Sequence, residues 1–165
     1  YPTSYIPTQG SVVTRLADNC IQTVPDGVIG QTEGTVFLDV NFDTLSELNM
    51  FLSIRPNSSN KIEVYRDGDI IYGEISASNS FSISNTNITV GRYKIALAYS
   101  SGSSAMYING NLISNRTTSF AFTSTLDEIY INSRGASFIE QSNYNEVKLY
   151  NTRLSNSELQ ALTTI

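Results

Sequence analysis

The sequence predicts an all-β protein, an antiparallel sandwich or barrel, and three observations carry that expectation. From Gly34 onward, short segments rich in Val, Ile, Tyr and Phe recur about every 8–12 residues. Gly, Asn, Asp and Ser separate them, and no helical period appears until close to the C-terminus.

The chain opens on "YPTSYIPTQGS". Pro2 and Pro7 fix their own φ and push Tyr1 and Ile6 toward extended backbone, so the stretch predicts a connector. It has neither the basic start nor the apolar run of a signal peptide. Residues 1–20 are assigned to an extended connector and first strand joining an upstream domain, residues 21–165 to the sandwich.

In "TVFLDVNF", Val36, Leu38, Val40 and Phe42 alternate with Phe37, Asp39 and Asn41, the period of a strand with one core face. "MFLSIR" is a second strand, closed by the turn-rich "PNSSN". "KIEVYRDGDIIYGEIS" sets Asp67-Gly68 between two β-prone runs, which predicts a tight hairpin. "FSISNTNITV" continues the meander, and "RYKIALAYSSGSSAMYINGNLIS" adds two hairpins, one through Ser101-Gly102-Ser103 and one through Asn109-Gly110. "LDEIYIN" and "NEVKLYN" follow. In "LSNSELQAL", Ser155 and Glu158 have capping-box spacing and Leu154 and Leu159 that of a hydrophobic staple, predicting a short helix with Leu159 and Leu162 toward the sandwich.

Composition narrows the chemistry. The 165 residues suit one domain, and 40% apolar content without a run approaching ~20 residues points to a globular chain without membrane insertion. A net charge of −5 with scattered cations argues against nucleic acid. The chain has no histidine and a single cysteine, Cys20, expected to be a small buried hydrophobe. Ser-His-Asp devices and cysteine-based zinc sites are thereby excluded. Ser, Thr and Asn make up about a third of the chain, a surface suited to polar ligands such as sugars.

A glycoside hydrolase would need two carboxylates roughly 5–10 Å apart. Asp67 and Asp69 flank a turn glycine, and Asp127-Glu128 are adjacent, so neither pair meets that demand on one strand face. No EF-hand loop is present, but calcium stays open, with Asp18, Asp26 and Asp39 as candidate oxygen ligands. For a sugar, tyrosines beside polar groups are the best platforms in a chain without tryptophan. The candidate ligand-binding set is Tyr65 with Arg66, Tyr99, Tyr107, and Tyr144 with Asn143, together with Arg134. For each tyrosine the structural alternative is a ring packed in the sandwich with its hydroxyl at the rim.

The segments "GRYKIALAYSSGSSAMYINGNLI" and "EVKLYNTRLSNSELQAL", with Thr3–Thr8, Ser11, Val13-Thr14-Arg15 and Asp18 at the start, resemble the laminin-G-like, concanavalin A-like lectin superfamily of the kind found in phage tail and virion proteins. The resemblance implies a two-sheet antiparallel jelly-roll sandwich with one short C-terminal helix. It also implies carbohydrate or protein recognition at rim loops or on the concave sheet, with calcium in some members. The acid motif of the hydrolase branch is missing, so the resemblance does not carry catalysis. The family's G-x-I-D-E-V strand is here Asn143-Tyr144-Asn145-Glu146-Val147.

The resulting expectation is a non-catalytic carbohydrate-binding module of a tail fibre, tail spike or other virion protein. It would sit on the virion, or otherwise outside the cell, and contact bacterial surface polysaccharide or glycan. Its other partners would be an upstream domain, neighbouring virion proteins and further copies of itself. One alternative is a structural decoration or assembly domain with protein partners. A more distant one is a binding appendage of a secreted polysaccharide-degrading enzyme.

Overall fold

Strand alternation builds the molecule, because each apolar run needs a second layer to cover its core face. The computed structural model describes residues 20–45, 48–133 and 143–165. Its strands are β1 (Cys20–Thr23), β2 (Glu33–Phe42), β3 (Asn49–Asn57), β4 (Asn60–Asp67), β5 (Ile70–Ser76) and β6 (Phe81–Asn85). There follow β7 (Gly91–Ser100), β8 (Ser104–Ile108), β9 (Asn111–Arg116), β10 (Glu128–Ile131), β11 (Asn143–Tyr150) and the helix α1 (Asn156–Thr163). One sheet has the order β1-β10-β3-β4-β5-β6 and the other β11-β2-β7-β8-β9, with every pairing antiparallel. This is the expected all-β sandwich with one short C-terminal helix.

The hairpins turn where the small residues sit. Asn109 and Gly110 both have positive φ, 50° and 79°, as a type I′ turn requires between paired Ile108 and Asn111. In the β4–β5 hairpin Asp67 pairs with Ile70, so the two turn residues are Gly68, at φ 56°, and Asp69. Asp67 is thus the last rung and not part of the turn itself.

Val36, Leu38, Val40 and Phe42 of β2 face Leu52, Ile54, Ile62, Val64, Ile71 and Ile75 of the opposite sheet. Gly73 keeps the layers close, since a Cβ there would stand 3.0 Å from both Leu97 Cδ1 and Met106 Sδ. The sequence assigns Phe37 to the non-core side of β2, yet it is 1% exposed. The reason is α1, which roofs that side: Phe37, Ala96, Ala98, Ala105 and Tyr107 form a second cluster with Leu159, packed by Tyr150, Leu154 and Leu162. The alanines on β7 and β8 let the helix lie close to the sheet.

Both halves of the capping box are present: Glu158 N–H donates to Ser155 Oγ, and Ser155 N–H donates to the Glu158 carboxylate at 2.8 Å. At the other end Lys94 Nζ donates to Thr164 O at 2.8 Å, a cation where the helix dipole is negative. Buried Thr35 ties down the approach to the helix, donating to Thr152 O and accepting from Leu154 N–H. Cys20 corrects an expectation: it is exposed, because it opens the edge strand β1, all four residues of which are exposed. The connector expected over residues 1–20 lies, except for Cys20, outside the described residues. No helix among the described residues is long and apolar enough to cross a membrane.

Truncating the helix anchor tests the two-cluster account. Leu159→Ala should lower unfolding free energy by about 2–5 kcal/mol, the usual cost of a cavity at a fully buried leucine. Urea denaturation measures it, and a loss below about 0.5 kcal/mol would show that α1 is not part of the core.

Candidate functional site

In β4, Ile62 and Val64 point into the core, so Lys61, Glu63 and Tyr65 project from the outer side of the six-stranded sheet. In β5 the same rule sends Tyr72, Glu74 and Ser76 outward, opposite Ile71, Gly73 and Ile75. Register then assembles rows across strands. One row runs Tyr130, Ser53, Glu63, Glu74, Ser82, and a neighbouring one includes Tyr65, Tyr72 and Ser84.

These rows are tightly connected. Lys61 Nζ lies 2.7 Å from Glu63 Oε2 and 2.8 Å from Glu74 Oε1, bridging two carboxylates on paired rungs. Ser53 Oγ donates to Glu63 at 2.9 Å, while Tyr65 Oη and Ser76 Oγ donate to Glu74 at 3.2 and 3.1 Å. The Tyr65 and Tyr72 rings stack, with centroids 5.0 Å apart and planes 18° from parallel. Toward β10, the Arg55 guanidinium stands 5.4 Å from the Tyr130 ring centre, and Tyr130 Oη donates to Glu128 at 2.5 Å. Arg55, Lys61, Tyr65, Tyr72, Glu74, Glu128 and Tyr130 are half-buried, and Ser82 and Ser84 exposed.

Burial works to raise the Glu74 pKa, but its bonds from Lys61, Ser76 and Tyr65 outweigh burial and leave it below the ordinary carboxylate value. The Tyr130 phenol is raised, first by its bond to Glu128. The face therefore presents an anionic Glu74, a neutral Tyr130 phenol and aromatic surface at neutral pH. That combination can accept hydrogen bonds from hydroxyls and stack against a ring.

Of the residues singled out from sequence, Tyr65 lies on this face. Asn143 is exposed at the start of β11 in the other sheet, and Arg134 falls outside the described residues. Four others lie away from this face. Arg66 is fully buried, sharing the inward register of Ile62 and Val64, with its guanidinium 5.3 Å from the Phe42 ring centre and Nη1 donating to Gly68 O. Tyr99 is 1% exposed and donates to Gly30 O at 2.8 Å, in space left by Gly34, whose added Cβ would fall 2.3 Å from the Tyr99 hydroxyl. Burial is the main reason its phenol pKa is raised. Tyr107 lies beneath α1. Tyr144 packs against the main core and donates to Phe51 O at 2.9 Å.

Adjacency along the sequence does not bring out Tyr72, Lys61, Glu74, Arg55, Tyr130 and Glu128 as neighbours on one face. In a strand the relevant neighbours are two residues away or one rung across. Counting back from a turn at Gly68-Asp69 pairs Tyr65 with Tyr72 and Glu63 with Glu74, whereas a turn at Asp67-Gly68, as the sequence suggests, would pair Tyr65 with Ile70.

The rim offers concave features of its own. Hollows of about 290, 180 and 130 Å³ adjoin around Gln31, lined among others by Phe122, Thr125 and Phe120. Gln31 itself serves as a buckle, donating to Ile29 O and Leu126 O and accepting from Leu126 N–H at 2.8 Å. For calcium, Asp39 does not fit: Arg92 binds both of its oxygens, at 2.8 and 2.5 Å, and Asn145 donates to it at 3.0 Å. Arg92 is the main reason its carboxyl lies below the ordinary value. Asp26 shares the 180 Å³ hollow with Asp127, and Asp18 lies outside the described residues. Among the described residues no three acidic or thiol side chains gather as a metal site.

No family model and no curated protein sequence matches the chain. Solved structures share its concanavalin A-like fold. A leech intramolecular trans-sialidase complexed with 2,7-anhydro-Neu5Ac superposes with a TM-score of 0.73 at 14% identity, over 92% of this chain and 27% of the enzyme. The CBM40 of a Ruminococcus gnavus IT-sialidase, bound to α2,3-sialyllactose, gives 0.68 at 18% identity over 82% of this chain and 84% of that one. The binding domain of botulinum neurotoxin DC, in complex with rat synaptotagmin II, gives 0.68 at 10% identity over 86% and 38%. The chain thus spans about a quarter of the trans-sialidase, most of the carbohydrate-binding module and over a third of the toxin domain.

The depressed Glu74 pKa fixes the sign of a pH effect. Its contribution to stability is complete above the unfolded carboxylate pKa and disappears as pH falls through the lower folded value. The gap in melting temperature between the wild type and Glu74→Gln should therefore shrink as pH is lowered from about 7 to about 3. A gap constant over that range would show that the Lys61–Glu74 contact adds no stability.

Proposed function

We propose that the chain is a non-catalytic glycan-binding module that holds its ligand on the outer face of the six-stranded sheet. The observation that carries this is the stacked Tyr65–Tyr72 pair beside Glu74 and Lys61, with Tyr130, Arg55 and Glu128 along the same sheet. Aromatic surface flanked by carboxylates and cations is what a sugar's apolar ring face and hydroxyl edge require. The sialyllactose-bound carbohydrate-binding module with this fold supports the reading at the level of architecture. Among the described residues the large apolar ones that are exposed, Ile21, Val28, Val90, Leu112 and Ile165, come from five separate segments, which gives the protein-partner alternative less support.

We further propose attachment of a phage particle to bacterial surface glycan as the biological setting. The support for that is the likeness of Thr3–Thr8, Ser11, Val13-Thr14-Arg15 and Asp18 to the junction that precedes such domains in phage tail and virion proteins. Several copies on one particle would make weak single-site binding effective.

A tetramerised form of the protein applied to a glycan array and to intact bacteria tests the proposal. Binding should appear, and Tyr72→Ala should weaken it about tenfold, equivalent to ~1.4 kcal/mol. Absence of binding by the tetramer, with and without calcium, would overturn it.

A further inference from the structure

We infer that this face selects glycans free of acidic groups, and disfavours sialylated, uronic or sulfated ones. The inference deepens the glycan-binding reading and rests on it. Recognition of an acidic sugar calls for a cation able to turn toward the ligand, most effectively an arginine fork. On this face Lys61 is occupied, its ammonium held by Glu63 at 2.7 Å and Glu74 at 2.8 Å with the side chain only 12% exposed. Arg55 stands over the Tyr130 ring, whose hydroxyl is bound to Glu128. Arg55 follows Ile54, which pairs with Ile129, and Glu128 precedes Ile129, so an anion approaching Arg55 would come alongside Glu128.

Among the described residues the face carries the carboxylates of Glu63, Glu74 and Glu128, with Asp67 in the same phase at the end of β4, against the cations Lys61 and Arg55. The chain's net charge of −5 adds a general repulsion of polyanions. Neutral sugars meet no such opposition, because their hydroxyls donate to Glu74 and Glu128 while their apolar faces lie against Tyr72 and Tyr130.

Matched pairs of oligosaccharides test this, each an uncharged glycan and its sialylated, uronic or sulfated counterpart, lactose with α2,3-sialyllactose among them. The tetramerised wild type should bind the uncharged members at least about tenfold more tightly. That ratio should narrow in about 1 M NaCl, where the screening length falls to about 3 Å. It should narrow again in Glu74→Gln, with Glu128→Gln as the second variant if the first does not fold. Equal or tighter binding of the acidic members would overturn the inference while leaving the glycan site intact. A preference unmoved by salt and by both substitutions would overturn its electrostatic basis. Failure of both members of every pair would remove the glycan-binding reading and the inference with it.

Discussion

The constraint on which the molecule depends is the alternation of β2 and β7 at the centre of the five-stranded sheet. Val36, Leu38, Val40, Ile95 and Leu97 face the opposite sheet, while Phe37, Ala96 and Ala98 face the helix. Each of these large side chains contributes about 1.5–3 kcal/mol when buried. A sheet covered on both sides at its centre has little surface left for recognition there. Away from α1 its outer side is occupied by internal partners: Asp39 holds Arg92 and Asn145, and Lys148 pairs with Glu146 at 2.8 Å. The outer face of the six-stranded sheet differs, since most of its side chains are polar or aromatic and many remain half-exposed.

Much of the fold was legible because it is written in local signals. Asn109-Gly110 demands positive φ twice in succession and obtains it, and Ser155 with Glu158 forms the capping box its spacing implies. Burial was less legible, because it depends on what arrives from elsewhere in the chain. Tyr107 is covered by a helix that follows it by nearly fifty residues. Tyr99 is accommodated by a missing Cβ on Gly34, a partner visible only once β2 and β7 are paired. Arg66 is the exception: two positions beyond Val64 and four beyond Ile62, it carries the inward phase of its strand in the sequence itself. Its charge made it look like a surface residue, although arginine buries well when its plane lies against an aromatic ring.

The Lys61 bridge shapes the face mechanically as well as electrically. Glu63 is fully buried and Glu74 partly so, and a carboxylate in that position is tolerated only when it is paired and hydrogen-bonded. Lys61, Ser53, Ser76 and Tyr65 supply those contacts, so the acids, the cation and one stacked ring are fixed relative to one another across β3, β4 and β5. A platform fixed before ligand arrives loses little side-chain entropy on binding. Rigidity of this kind also follows from its position on paired strands instead of loops.

The fold itself does not choose a ligand. Structures with this architecture and between 10% and 18% identity to the chain include one bound to sialyllactose and one bound to synaptotagmin. Sites grafted on a common sandwich decide the partner, so side chains and not architecture set the ligand. Those side chains point to modest affinity per site. Tyrosine offers a smaller stacking surface than tryptophan, of which the chain has none, and part of the Tyr65 and Tyr72 surface is spent on each other. A shallow, preformed and weak platform is effective when several copies act together, because each contact after the first is made at high local concentration. Repeated display on a larger particle is the arrangement in which this surface would be most useful, which links the chemistry of the sheet to the setting proposed for the chain.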